Sequence, residues 1–262
     1  MTHARPAAGE EDLGGGFRYV PHLGAAGAII AGSLEPFGID GLMSTAAVNA
    51  RDRDAFRAWA DALRPGLSPR LRGVDQVHGA TIVAAENVRG DQRLEADGVS
   101  AGSADDAPVI MAADCAPVWL ADPQRKAVAL VHAGWRGIAA GVLEAGVRAC
   151  EERGAQPGSL IAAIGPHLGP CCFEIGPEVA AQFSGHTQPA TSLVVERQRT
   201  DSVALNAASA ISARLRAAGV RSVHVSHACT RSRGDILHSF RRNGKGGPLM
   251  GAIGVITAGS VS

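Results

Sequence analysis

Aromatic residues make up only 4% of the 262-residue chain, so its core has to be built from Ala, Val, Leu and Ile. The 25 basic residues balance the 25 acidic ones, which excludes a global basic field for nucleic acid or a membrane surface. No apolar run approaches the ~18–20 residues of a membrane-spanning helix, so no membrane partner is expected. Met1–Glu10 lacks the apolar stretch of a secretory signal. The five cysteines are odd in number and two are adjacent, which gives no disulfide framework. Reduced thiols and a cytoplasmic location are expected. There is no Cys-x-x-Cys and no His-Glu-x-x-His, so neither a zinc ribbon nor a metalloprotease helix is encoded.

What remains is ordinary globular composition, 46% hydrophobic and 19% charged. Residues 1–16 are polar and Gly-rich and read as a flexible tail; 17–262 read as one domain. Short apolar runs bounded by Gly, Pro or Asp predict strands at Ala28–Gly32, Gly38–Thr45, Ala80–Ala85, Pro108–Ala113 and Pro117–Ala121. Further strands are predicted at Ala127–Val131, Leu160–Ile164, Ser222–Ser226 and Ala252–Thr257, with a turn at Asp122-Pro123-Gln124. Helical periodicity predicts helices at Arg51–Leu63, Trp135–Arg153 and Val203–Ala218. Strands and helices do not alternate strictly, which favours a mixed-sheet α/β (α+β) domain over a doubly wound parallel one.

Chemistry-bearing residues gather at the ends of these elements. Cys115 follows a predicted strand in Ala-Asp-Cys-Ala-Pro, His132 ends another in His-Ala-Gly-Trp-Arg-Gly, and His78 precedes a third in Asp-Gln-Val-His-Gly. If the strands 108–113 and 127–131 are neighbours in one sheet, Cys115 and His132 leave the same edge. Two imidazoles and a thiolate are zinc ligands, and three protein ligands leave a coordination position open, as in catalytic zinc sites. Each residue alone reads equally as core filler or a satisfied polar group. Arg136, in the first turn of a predicted helix, is either an anion contact beside the metal or a solvated surface residue. Asp97 is an acid/base, a partner for a ligand histidine, or an ordinary Asp-Gly turn; Asp114 carries the same alternatives. Cys171 and Glu174 either line a pocket or belong to a rigid loop whose thiols pack inward, the reading preferred for Cys172. Arg241 and Arg242 pair as a phosphate contact or sit in a solvated basic loop.

The segments DQVHG (75–79), ADG (96–98), AADCAPV (112–118), HAGWRG (132–137), IGPHLGPCCFEIG (164–176), CT (229–230) and SFRR (239–242) stand in that order. Together they resemble the YfiH/laccase-domain family, also described as multicopper polyphenol oxidase-like or purine nucleoside phosphorylase-like proteins. The resemblance implies a single-domain layered α/β sandwich, shared with bacterial toxins that carry a Cys–His pair. It implies His78, Cys115 and His132 as metal ligands, with zinc as the metal and copper able to compete in vitro. It implies phosphorolysis of adenosine, inosine, guanosine and methylthioadenosine, and deamination of adenosine, with nucleoside and phosphate as small-molecule partners. Arg136, Asp97 and Asp114 are then candidates for catalysis, and Arg241, Arg242 and Cys171 for substrate contact.

The chain departs from the family pattern in two places. Leu42–Ala47 lacks an arginine and two glycines common there, and Phe240 stands where a tyrosine is usual. Two other enzyme classes compete. Copper-dependent phenol oxidation needs paired His-x-His ligands, and the nine histidines include none. A hydrolase with Cys115 as nucleophile, editing a peptidoglycan precursor, uses the same residues without needing a metal.

Overall fold

The structure, a computed structural model, describes residues 9–23, 26–89, 94–183, 194–196 and 203–257. In chain order its strands begin β1 (Glu11–Gly14), β2 (Phe17–Val20), β3 (Ala28–Ala31), β4 (Ile39–Ser44) and β5 (Leu71–Gly73). They continue β6 (Val83–Ala84), β7 (Gly98–Ala101), β8 (Ala107–Ala112), β9 (Ala116–Asp122), β10 (Ala127–Ala133) and β11 (Ile161–Ile164). The last are β12 (Glu174–Ile175), β13 (Val194–Glu196), β14 (Val203–Leu205), β15 (Ser222–Val225) and β16 (Met250–Ile256). The helices are α1 (Arg53–Leu63), α2 (Trp135–Ala140), α3 (Val142–Glu151), α4 (Pro177–Phe183), α5 (Ala207–Ala217) and α6 (Phe240–Asn243).

One sheet runs β1-β2-β3-β4-β16-β8-β5 and a second β15-β11-β9-β10-β7-β6. Both are mixed: β5–β8, β11–β15 and β6–β7 pair parallel, the others antiparallel. The sheets stack on an apolar core in which Phe17, Ile29, Met43, Ile110 and Met250 meet Trp119, Val128, Leu130 and Ala163. Trp119 is fully buried and crosses this layer, its Nε1–H donating 2.9 Å to the Ile253 carbonyl of the facing sheet. Gly165 makes room for it: a Cβ there would sit 2.9 Å from the indole ring. The far face of the second sheet packs on α3 and α5 through Leu143, Val147, Ile211 and Leu215. The far face of the first packs on α1 through Phe56 and Trp59. The result is a helix–sheet–sheet–helix sandwich. Because both faces are covered, β9, β10 and β16 are buried at every position and read as continuous apolar runs.

Several sequence expectations shift. Glu11–Gly14, assigned to the tail, is an edge strand that pairs with Phe17–Tyr19; residues 1–8 lie outside the described residues. The helix expected over Trp135–Arg153 is cut at Gly141, whose φ of 91° is left-handed and cannot continue a helix. The helix expected from Val203 begins at Ala207, because Asn206 is its cap, accepting 3.1 Å from the Ser209 N–H. Val203–Leu205 is instead a strand of a small third sheet, β12-β14-β13. The expected helix at Arg51–Leu63 starts at Arg53 behind the cap Asp52.

Candidate metal centre

Cys115 and His132 meet through a hairpin. β9 and β10 pair antiparallel from Asp122↔Ala127 to Ala116↔Ala133, so the residue before β9, Cys115, lies beside Gly134. The turn between them is set by Asp122, whose Oδ1 accepts from the Gln124 and Arg125 amides at 2.8 and 3.1 Å. Strand 108–113 is not the neighbour of 127–131 that the sequence reading supposed. β8 belongs to the first sheet, and the chain crosses to the second through Ala113-Asp114-Cys115. The juxtaposition survives because β9, not β8, brings the thiol to the sheet edge. Asp114 makes this crossing at φ 103°, a conformation costly for a residue with a Cβ.

His78 arrives from a different direction. Its turn is docked on the first sheet by Gln76, whose side-chain amide pairs with the Met111 main chain in both directions at 2.7 Å. His78 itself has φ 61°, again left-handed. That conformation is held by Asp97, which accepts from the amides of Val77 (3.3 Å), His78 (2.9 Å) and Gly79 (2.5 Å). The same carboxylate takes His132 Nδ1 at 2.9 Å, and the Asp97 carbonyl takes the His132 N–H at 2.7 Å. Asp97 is fully buried. Burial raises its pKa, but these donors outweigh burial and leave it below the usual carboxylate range. With Nδ1 turned to Asp97, Nε2 of His132 is the nitrogen left for a ligand.

The three ligand atoms of His78, Cys115 and His132 lie within 4.8 Å of one another. The imidazoles meet edge to face with centroids 4.9 Å apart. His78 is exposed while His132 is 3% exposed, so the group opens to solvent on one side. Burial pushes the Cys115 thiol up, but the charge and hydrogen bonds of His132 and the contacts of His78 prevail and bring it down to about 6. Burial lowers His132; the Cys115 thiolate and Asp97 reverse that and raise it to about 9. Two nitrogens and a thiolate converge here, and Gly134 brings no side chain against them. A Cβ on Gly134 would stand 3.0 Å from Cys115 Sγ and 3.0 Å from His78 Cδ2. The donor set fits zinc or copper, and no fourth His, Cys or carboxylate joins it among the described residues.

The other sequence candidates fall into place around this centre. Asp114 has both carboxylate oxygens occupied, by Thr230 Oγ1 at 2.5 Å and the Arg241 N–H at 2.7 Å, and its carbonyl accepts from Leu168. It ties the Cys115 turn to the Cys229-Thr230 segment and to α6. Arg136 is exposed, with its guanidinium 4.3 Å above the Trp135 ring. Arg241 donates to the Glu174 carbonyl at 3.0 Å and lies 5.6 Å over the Phe173 ring. Arg242 is spent on the carbonyls of Thr230, Arg231 and Leu237. The pair expected to bind phosphate together is therefore divided, because Arg242 braces a loop. Cys171 does not join the trio; it groups with Cys172 and Cys229. Gln76 escaped the sequence reading, since its partner Met111 lies 35 residues away along the chain.

The helix–sheet–sheet–helix sandwich thus carries, where β9 and β10 meet the His78 turn, a His/Cys/His group that could hold a metal ion. Residues 46–256 match the family described as multi-copper polyphenol oxidoreductase laccase, and the chain belongs to that family, the YfiH/laccase-domain proteins. A purine nucleoside phosphorylase of Pseudomonas aeruginosa is 37% identical over 181 residues, 69% of this chain and 72% of that one. Another, of Streptomyces coelicolor, is 34% identical over 190 residues, 72% of this chain and 76% of its own. The crystal structure of YlmD from Geobacillus stearothermophilus superposes with a TM-score of 0.79 at 27% identity, covering 89% of this chain and 97% of that one.

Proposed function

We propose that this protein is a zinc-dependent purine nucleoside phosphorylase that also deaminates adenosine. The carrying observation is the converging His78/Cys115/His132 group, open on one side and oriented by Asp97, in a chain whose relatives bear the phosphorylase name. Zinc held by these residues supplies a Lewis acid at neutral pH.

The chain's own residues account for the remaining requirements. In phosphorolysis, phosphate displaces the purine from the ribose anomeric carbon, giving ribose-1-phosphate, and the purine leaves with the bonding electrons. Exposed Arg136, two residues beyond Gly134, is the cation we assign to phosphate or the departing base. Arg241 is the second cation we assign, its main chain anchored on Asp114 and its guanidinium on the Glu174 carbonyl and the Phe173 ring. Asp97 keeps His132 in one tautomer throughout. In deamination, water adds at the purine carbon bearing the amino group and ammonia leaves. The paired test is metal content together with adenosine turnover, with and without phosphate. About one zinc per chain, and adenine with ribose-1-phosphate formed only with phosphate present, supports phosphorolysis. Inosine formed without phosphate supports deamination. Stoichiometric zinc with neither product refutes both.

A second reading rests on the same geometry. Asp97, His132 and Cys115 are also ordered as orienter, base and thiol nucleophile, as a Cys–His hydrolase requires, including one that edits a peptidoglycan precursor. Activity that survives complete metal removal but dies on alkylation of Cys115 would select it. Phenol oxidation by several coppers is disfavoured, since this centre offers three ligands and the sequence has no His-x-His.

A further inference from the structure

Cys171, Cys172 and Cys229 take no part in the centre described above, yet their three sulfurs lie within 4.8 Å of one another. The fold builds this cluster from two segments. A tight turn, in which the Cys172 and Phe173 amides both donate to the Gly169 carbonyl, puts the Cys171 and Cys172 sulfurs 3.5 Å apart. A parallel bridge between His167 and Cys229 then brings the third thiol under that turn. The Gly169 N–H donates to Cys229 Sγ at 3.4 Å, a contact that favours the thiolate. Ser232 Oγ lies 3.9 and 3.7 Å from the Cys171 and Cys172 sulfurs. The Arg242 guanidinium, on the carbonyls of Thr230 and Arg231, adds positive charge one and two residues past Cys229. Gly169 lies against the cluster: a Cβ there would crowd Cys229 Cβ at 3.3 Å and stand in ordinary contact with Cys171 Sγ at 3.5 Å.

We propose that Cys171, Cys172 and Cys229 form a second, all-sulfur site that binds one monovalent copper ion, separate from the His78/Cys115/His132 centre. The donor set decides the metal. Thiolates select soft cations, and three of them without a nitrogen or carboxylate suit Cu(I), whereas structural zinc requires four protein ligands. A metal–sulfur bond of about 2.3 Å places three trigonal sulfurs about 4 Å apart. The observed separations, 3.5 Å for the adjacent pair and at most 4.8 Å for the others, need only sub-ångström adjustment. Cys171 is exposed and Cys229 buried, so the ion enters from the surface and rests on an ordered base.

The experiment is a Cu(I) titration of the reduced, zinc-loaded full chain under anaerobic conditions, in competition with a chromogenic Cu(I) chelator. One copper per chain is expected, taken up without release of zinc, with X-ray absorption reporting three sulfur neighbours and no nitrogen. Cys171→Ser and Cys229→Ser should each weaken uptake at least 100-fold while zinc content stays at its wild-type value. Cys171→Ser changes an exposed side chain, so it keeps the test valid if Cys229→Ser does not fold. Copper bound only by displacing zinc, nitrogen in its shell, or uptake unchanged in the Cys171→Ser/Cys172→Ser double variant would each overturn the proposal. None of these readouts depends on nucleoside turnover.

Discussion

Gly134→Ala tests whether the His78/Cys115/His132 group depends on having no side chain beside it. The backbone at Gly134 has φ −78° and ψ 160°, which alanine adopts freely, so no conformational strain is introduced. The added methyl would meet Cys115 Sγ and His78 Cδ2 at 3.0 Å and His132 Cε1 at 3.8 Å. Ordinary carbon contacts lie at about 3.5–4.0 Å, so the two nearer ligands must retreat by about half an ångström. Metal–ligand distances tolerate about 0.2 Å. The expected loss is therefore about 10- to 100-fold in zinc affinity, or about 1.4–2.7 kcal/mol, the range seen when groups that orient metal ligands are removed. Competition against a fluorescent zinc chelator measures it, and thermal unfolding of the metal-free protein should change little. Zinc affinity within twofold of wild type would refute the claim that this glycine keeps the ligand space open.

Asp97→Asn keeps the shape but turns an anion that accepts four hydrogen bonds into an amide that accepts fewer. Zinc affinity should fall about 10- to 100-fold, and a chelator titration indistinguishable from wild type would remove Asp97 from its orienting role. Gln76→Ala deletes both bonds to Met111 and should cost about 1–3 kcal/mol of stability along with tight zinc binding; a melting temperature and zinc affinity both equal to wild type would show that the His78 turn is held elsewhere. Trp119→Phe removes the indole donor from the buried Ile253 carbonyl and shrinks the side chain that crosses the layer, and should lower stability by about 1–3 kcal/mol while leaving zinc stoichiometry untouched, so lost metal with retained stability would contradict the layer assignment. Arg136→Ala should lower phosphorolysis at least tenfold without changing zinc content, and full activity would end its assigned role.

The long elements were legible in the sequence because Gly, Pro and Asp punctuate them. Each strand expected from an apolar run is present, with ends shifted by a few residues. Short strands such as Gly98–Ala101 were not legible: four small residues buried on both faces carry no alternation. Which sheet β8 joins was also hidden, since a crossing through Ala113-Asp114-Cys115 resembles any hairpin turn until pairing partners are known. The His78, Cys115 and His132 group was readable as residue types at element ends, and the hairpin supplied the contact between two of them. The choice among the three readings of Asp97 was not readable, because its partners lie 18 to 35 residues away along the chain. The thiol cluster was invisible for the same reason, Gly169 and Cys229 being 60 residues apart. Arg242 shows the opposite failure. Two adjacent arginines suggest one anion site, but a free guanidinium and one consumed by main-chain carbonyls look alike in sequence.

The hairpin that unites Cys115 and His132 closes at the far end of seven-residue strands, about 20 Å from the ligands. Its Asp122 turn is thus the ruler that sets the spacing of Cys115 and His132. A slip of one residue between β9 and β10 would move His132 out of line with Val128 and Leu130, which face the inner layer, and swing it toward the helices. Surface turns ordinarily accept added or deleted residues. This one, remote from any chemistry, should resist a change of length as strongly as the ligands resist a change of identity.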